Sequence, residues 1–351
     1  MGEKMLMKGN EAIGEAALRA GCRFYFGYPI TPQSELTAYM AKKLLKMKDA
    51  AFVQAESELA AINMVYGAAS TGVRVMTSSS SPGISLKQEG ISYIACSEIP
   101  CVVVNMQRGG PGLGDIQPSQ ADYFQAVKGG GHGDYHLIVL APSSVQELVD
   151  LTMDAFDLAD KYTNPAMILG DGLMGQMMEA VEFKERPKVE LPDKSSWTLT
   201  GCKGREHRYV VSFDLDPNIL EKWNLNIDKK YKKLKEKEVR YEAVNLENAD
   251  LVIVAYGTVA RIVKTTIQMA KKEGINIGLI RPITLFPFPE KIIASTAEKI
   301  KKFLTVEMSL GQMVEDVKLA VNGKAEVNFY GRAGGIIPSP EEILKEAKRY
   351  L

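Results

Sequence analysis

The chain has 351 residues, 46% of them apolar and 25% charged. That is too long for one average domain and has core to spare, so it predicts two soluble globular domains. Basic and acidic residues number 43 each; this balance argues against nucleic acid or an anionic membrane as partner and leaves room for association with other chains.

The opening stretch, MGEKMLMKGNEAIGEAALRAGC, mixes charges into its first turns and lacks the apolar run of a signal peptide. No run approaches the about 18 apolar residues of a membrane span, so a cytoplasmic protein is expected. The cysteines, Cys22, Cys96, Cys101 and Cys202, form no C-x-x-C pair. That excludes the usual iron–sulfur spacings and reads as buried free thiols in a reducing compartment.

In chain order, 4–8 reads as a short strand and 10–19 as an amphipathic helix stopped by Gly21. The stretch RFYFGYPITPQ at 23–33 reads as a strand handing over to a helix, with Thr31 as N-cap and Pro32 at the first helical position. Strands at 51–55, 73–77, 101–106, 136–140 and 166–169 alternate with helices at 32–46, 56–70, 85–96, about 119–127 and 143–161. This alternation predicts a parallel sheet with right-handed crossovers. From Gly170 to about Asn248 the regularity fades. KKYKKLKEKEVRYE at 229–242 reads as a solvated helix or a docking surface. Strands at 251–256, 276–281, 303–308 and 327–330 then resume with helices at 259–273 and 312–321 and a final helix. PITLFPFPE reads as a proline-punctuated loop. The expected division is 1–185, a connecting segment 186–248, and a smaller α/β domain 249–351.

In a parallel sheet, ligands gather outside the carboxyl ends of the strands. The residues there are Tyr28 and Thr31, Gln54 and Glu56, Ser78 to Ser81, Gln107 and Arg108, and Asp171. Such a set suits a polar cofactor and an anionic substrate. Glu56 reads either as a helix-capping acid or as a functional carboxylate. Arg108, among Gly109, Gly110, Pro111 and Gly112, reads either as an exposed loop arginine or as an anion ligand. The serines read mainly as caps. The three histidines are dispersed and receive no role. Gly170-Asp171-Gly172 begins the metal–diphosphate motif of thiamine diphosphate enzymes, but the stretch DKSSWTLTGCK at 193–203 supplies no Asn to complete it, so no metal is assigned to this chain. No G-x-G-x-x-G follows the first strand, which disfavours a dinucleotide oxidoreductase.

The ordered set YPITP at 28–32, QAESE at 54–58, RGGPG at 108–112, AYGTVAR at 255–261, RPITLFPFP at 281–289 and VEMSLGQM at 306–313 resembles the α-type subunit of the 2-oxoacid:ferredoxin oxidoreductases over nearly the whole chain. MKGNEAI, GCRFYFGYPITPQ, SSSSPGISLKQEGISY and KGGGHGDY are most similar to the 3-methyl-2-oxobutanoate (2-ketoisovalerate) type. The rivals are the 2-oxoglutarate and pyruvate types, or a non-catalytic assembly subunit. The resemblance implies a thiamine diphosphate pyrimidine-domain fold followed by a transketolase C-terminal-like domain. It also implies thiamine diphosphate shared with a β-type subunit that carries Mg²⁺ and an iron–sulfur cluster. A γ-type and a ferredoxin-like subunit would complete the complex, with ferredoxin, coenzyme A and the 2-oxoacid as reaction partners. By motif, Glu56 resembles the glutamate that shares a proton with N1′ of the aminopyrimidine, with Glu58 as competitor. Tyr28 and Pro29 fall on the cofactor side. Thr31 resembles a threonine contacting the substrate carboxylate, and Arg108 the arginine that neutralises it or the diphosphate.

Overall fold

The structure, a computed structural model, describes residues 4–187 and 189–351. The first part of the chain runs β1 (Lys4–Lys8), α1 (Gly9–Arg19), β2 (Phe24–Gly27), α2 (Ser34–Leu44), β3 (Ala51–Gln54), α3 (Glu58–Ala69), β4 (Val75–Ser79), α4 (Ser81–Cys96), β5 (Val102–Gln107), α5 (Tyr123–Val127), β6 (Ile138–Leu140), α6 (Val145–Tyr162) and β7 (Ala166–Asp171). It continues with α7 (Gly172–Gln176), β8 (Met178–Glu182), α8 (Pro217–Lys237), β9 (Tyr241–Val244), β10 (Leu251–Val254), α9 (Gly257–Lys272), β11 (Ile277–Pro282), β12 (Thr284–Phe286), α10 (Glu290–Lys299), β13 (Lys302–Glu307), α11 (Met313–Val321), β14 (Glu326–Gly331) and α12 (Pro340–Lys348). Among the described residues no helix is long and apolar enough to cross a membrane.

The larger sheet has the order β12-β6-β7-β5-β4-β2-β3, parallel except for β12. Its middle strands β4, β5, β6 and β7 are buried at every residue. This is why they read as continuous apolar runs, covered by helices on both faces. β3 is the edge strand, and Val53 and Gln54 on it are exposed. The second sheet, β14-β13-β10-β11-β9, is parallel except for β9.

Three elements arise where the sequence reads as irregular. β8 pairs antiparallel with β1 in a sheet of their own. β9 joins the second sheet through β11. β12, inside the proline-punctuated stretch, is buried throughout and pairs antiparallel with β6, so the chain returns to the first sheet. The charged stretch at 229–242 is not one solvated helix. It is the end of α8, which buries Ile227, Tyr231 and Leu234, followed by β9.

α6 fastens the connecting segment. Asp154, Asp157 and Asp160 lie at i, i+3 and i+6, one row on the helix. Asp160 accepts from Arg74 at 2.8 Å and Lys194 at 2.6 Å, Asp157 from Arg74 at 2.6 Å, and Asp154 pairs with Arg186 and Arg240. Arg281 on β11 ties the second sheet to α6: its guanidinium meets both oxygens of Glu147 at 2.8 Å and Glu242 of β9 at 2.8 Å.

Candidate active site

The sequence-predicted residues gather at the carboxyl edge of the larger sheet. β2 and β3 are neighbours in register, Gly27 opposite Gln54, and Ala55 N–H donates to the Gly27 carbonyl at 2.9 Å. Tyr28, Pro29 and Thr31 therefore leave the sheet beside Glu56, and all four are exposed. Arg108 follows β5 on the same edge and is buried.

Thr31 is not a helix cap. α2 begins at Ser34 with Gln33 as its N-cap residue, because the Thr31–Pro32 pair lies in the turn before the helix. Side chains hold that turn by its carbonyls. Arg108 Nη1 donates to Thr31 O at 2.9 Å, Asn10 Nδ2 to Pro32 O at 2.7 Å, and Gln33 Nε2 to Tyr28 O at 3.5 Å. Gln33 in turn accepts from Ser78 and Thr37, both of which also bond the buried Tyr25 hydroxyl. Sequence reading gives Asn10, Gln33 and Tyr25 no site role. Their one signal is that buried polar side chains need partners, and burial is visible only in the fold.

Arg108 is not a mobile loop arginine. Its Nη2 donates to Leu113 O at 2.8 Å, its backbone N–H to Ser81 Oγ at 3.0 Å, and its Nε finds no partner among the described residues. Thr31 and Arg108 are thus in direct contact, through a backbone oxygen rather than the threonine hydroxyl. Ser81 also donates to Asp122 at 2.6 Å, and Asn105 Nδ2 donates to the same carboxylate at 2.9 Å. Burial pushes the Asp122 carboxyl up, against these two hydrogen bonds and the nearby Arg108 charge.

Glu56 and Glu58 part company. Ser57, not Glu56, is the N-cap of α3: its Oγ accepts from Ala60 N–H at 3.2 Å and donates to Glu56 Oε1 at 3.0 Å. One hydroxyl caps the helix and orients the exposed carboxylate. Glu58 is buried in the first turn of α3, its Oε1 2.6 Å from where a Cβ on Gly83 would stand. Lys87, fully buried on α4, faces Glu58 and donates to Thr77 Oγ1 at 2.9 Å. Desolvation lowers its amine to about 8, with Glu58 opposing.

Asp171 behaves as a helix cap, accepting from Leu173 N–H and Met174 N–H at 3.1 Å each. Burial pushes its carboxyl up. Among the described residues no three His, Cys, Asp or Glu side chains come together as a metal cage.

Comparison with known proteins agrees with this architecture. Residues 15–209 match the thiamine diphosphate-binding family model of pyruvate flavodoxin/ferredoxin oxidoreductases, and 249–343 match core domain II of pyruvate:ferredoxin oxidoreductase. Ketoisovalerate oxidoreductase subunit VorB of Methanothermobacter marburgensis is 52% identical over 98% of this chain and 97% of its own length. The 2-oxoglutarate synthase subunit KorA of Methanothermobacter thermautotrophicus is 38% identical over 98% of each. A solved 2-oxoglutarate:ferredoxin oxidoreductase from Magnetococcus marinus, with 2-oxoglutarate, coenzyme A and succinyl-CoA bound, superposes with a TM-score of 0.85 at 27% identity. It covers 99% of this chain, which spans 65% of that one. A split-gene transketolase, at a TM-score of 0.61 and 14% identity, shares the fold. Sequence and overall fold agree: the chain belongs to the 2-oxoacid:ferredoxin oxidoreductase family, as a subunit of the thiamine diphosphate-binding kind.

Proposed function

We propose that this chain supplies the aminopyrimidine side of a thiamine diphosphate site that a second chain completes. The enzyme is a 2-oxoacid:ferredoxin oxidoreductase acting on a branched-chain oxoacid, with coenzyme A taking the acyl group. The observation that carries the reading is the half-built edge. Tyr28, Thr31 and Glu56 stand exposed at neighbouring strand ends beside a buried arginine, and Leu113, Ile116 and Leu59 around them are exposed at 78%, 54% and 46%. Large apolar side chains exposed beside polar strand ends suit a surface that another chain covers.

The donor set fits the pyrimidine half of the cofactor. An exposed carboxylate bonded by a serine hydroxyl can hold a proton toward a ring nitrogen, and Ser57 fixes its direction. Tyr28 and Pro29 form the wall beside it. The bound cofactor supplies the electron sink that lets a 2-oxoacid lose its carboxylate as CO₂. Arg108 would bring its positive charge to the carboxylate of the oxoacid, and its Nη1 holds the backbone of the exposed Thr31 beside it. In this reading the diphosphate, Mg²⁺ and iron–sulfur clusters sit on partner chains, while Asp171 Oδ1 caps α7 in this one. A β-type, a γ-type and a ferredoxin-like subunit complete a cytoplasmic complex. The 3-methyl-2-oxobutanoate preference rests on the 52% identity to a ketoisovalerate oxidoreductase subunit.

The test is to purify the chain alone and with its co-purifying partners, then follow ferredoxin reduction on a panel of oxoacids. The chain alone should be inactive, and the complex fastest on 3-methyl-2-oxobutanoate. Turnover by the isolated chain would overturn the split site; preference for 2-oxoglutarate or pyruvate would overturn the substrate.

A further inference from the structure

VEMSLGQM at 306–313 lies in the second sheet, away from Glu56, yet it touches the segment that carries Arg108. Glu307, at the end of β13, is fully buried. It accepts from Ser309 Oγ at 3.0 Å, Met313 N–H at 3.0 Å, Val314 N–H at 3.0 Å and Gln312 N–H at 3.2 Å. A buried carboxylate thus takes the orphan donors at the start of α11, where the helix dipole favours it. The loop between strand and helix is thereby fixed in one shape.

That loop grips residues 117–124. Gln120 N–H donates to Met308 O at 2.8 Å, and Met308 N–H returns to Gln120 Oε1 at 3.0 Å. Gln120 Nε2 reaches Tyr256 O at 2.9 Å, and the Gln312 side chain accepts from Phe124 N–H and donates to Ala121 O. Gly335 presses from the same side: a Cβ there would stand 2.4 Å from Gln117 Cβ, and its φ of +85° already excludes most side chains. The gripped segment pairs with the Arg108 loop. Gly109 N–H donates to Gln117 O at 2.9 Å, and Arg108 bridges Pro118. The loops face each other across a cleft of about 360 Å³ lined by Arg108, Gly109, Ser81, Met308, Ser309 and Leu310.

We infer that Glu307 and Gln120 are positioning residues for oxoacid binding: the second domain sets the place of Arg108 through the chain Glu307, Met308, Gln120, Gln117, Gly109. This rests on the reading that Arg108 holds the substrate carboxylate. Glu307→Gln puts an amide N–H against backbone N–H groups and loosens the loop; Gln120→Ala cuts the next link and serves if Glu307→Gln does not fold.

The experiment measures KM and kcat for the oxoacid, and the affinity for thiamine diphosphate, in the assembled complex for Glu307→Gln, Gln120→Ala, Arg108→Ala and each double variant with Arg108→Ala. Coupling through packed networks changes affinities by about 2–30-fold. Each single variant should raise KM by about that factor, with kcat and cofactor affinity held. The double variants should be no worse than Arg108→Ala alone, because residues acting through a shared group are not additive. Additive losses, or a fall in kcat with KM unchanged, would overturn the inference. An unchanged KM in Arg108→Ala would overturn the reading of Arg108 instead.

Discussion

Replacing Lys87 by Met should make stability at neutral pH rise and change how stability follows pH. Lys87 is fully buried and donates to the buried Thr77 hydroxyl at 2.9 Å. Burial takes its amine from an ordinary 10.5 to about 8. At 1.36 kcal/mol per unit, the folded chain carries a charge penalty of about 3 kcal/mol at pH 7. The sign follows from proton counting. Between about 8 and 10.5 the unfolded chain holds the proton that the folded chain has released, so wild-type stability climbs with pH across that window. Below about 8 the full penalty remains. Methionine has a similar volume and no charge, but leaves the Thr77 hydroxyl without its donor, at about 1–3 kcal/mol. The net gain at pH 7 is then about 1 kcal/mol. The sharper quantity is the difference between the two proteins, which should shift by about 3 kcal/mol in the wild type's favour from pH 7 to 10.5. Urea unfolding of the purified chain at several pH values, with an unchanged slope against urea, measures it. Parallel stability curves would show instead that Glu58 keeps the Lys87 amine fully charged across this range.

Arg281→Met should destabilise the chain by about 2–4 kcal/mol. That figure is the cost of breaking a buried pair, discounted because Glu147 and Glu242 are 30% and 31% exposed. Burial works against both carboxyls, yet Arg281 and their hydrogen bonds hold them below 4.5, so this stabilisation is present above that pH and fades as acid protonates them. The gap between wild type and variant, followed by denaturation from pH 7 downward, should close below pH 4.5; a constant gap would exclude the ion pairs as its source. Gly83→Ala should cost about 1–3 kcal/mol, since the new Cβ would lie 2.1 Å from Ser79 Oγ and 2.6 Å from Glu58 Oε1. A neutral thermal shift would show that α4 can retreat.

The strand–helix alternation and the polar strand ends were legible because each depends on local pattern: continuous apolar runs for the middle strands, and hydroxyls, Glu56 and Arg108 just beyond them. What escaped depends on distant partners. Thr284–Phe286 is a strand only because β6 offers an edge, and its flanking prolines disguise it. Tyr241–Val244 is half-exposed and acquires its register from β11. Thr31 carries a good cap sequence, yet the side chains of Asn10, Gln33 and Arg108 hold the turn open for one more turn of chain before α2 begins. Glu58 competes with Glu56 in the sequence; what sets it apart is its burial with Lys87 where α3 packs on α4, a pairing that local pattern does not show. The acidic row on α6 is visible in the sequence, but its partners Arg186 and Lys194 come from the segment that shows no pattern at all.

The most direct test of the split site is the single-turnover rate of oxoacid decarboxylation by the assembled complex with Glu56→Gln, set beside Glu58→Gln. Loss of an acid–base group costs about 10²–10⁴-fold. Glu56→Gln should show that loss with thiamine diphosphate still bound, and Glu58→Gln a rate within a few-fold of wild type with lowered stability. An unchanged rate for Glu56→Gln, or the large loss falling on Glu58→Gln, would contradict it.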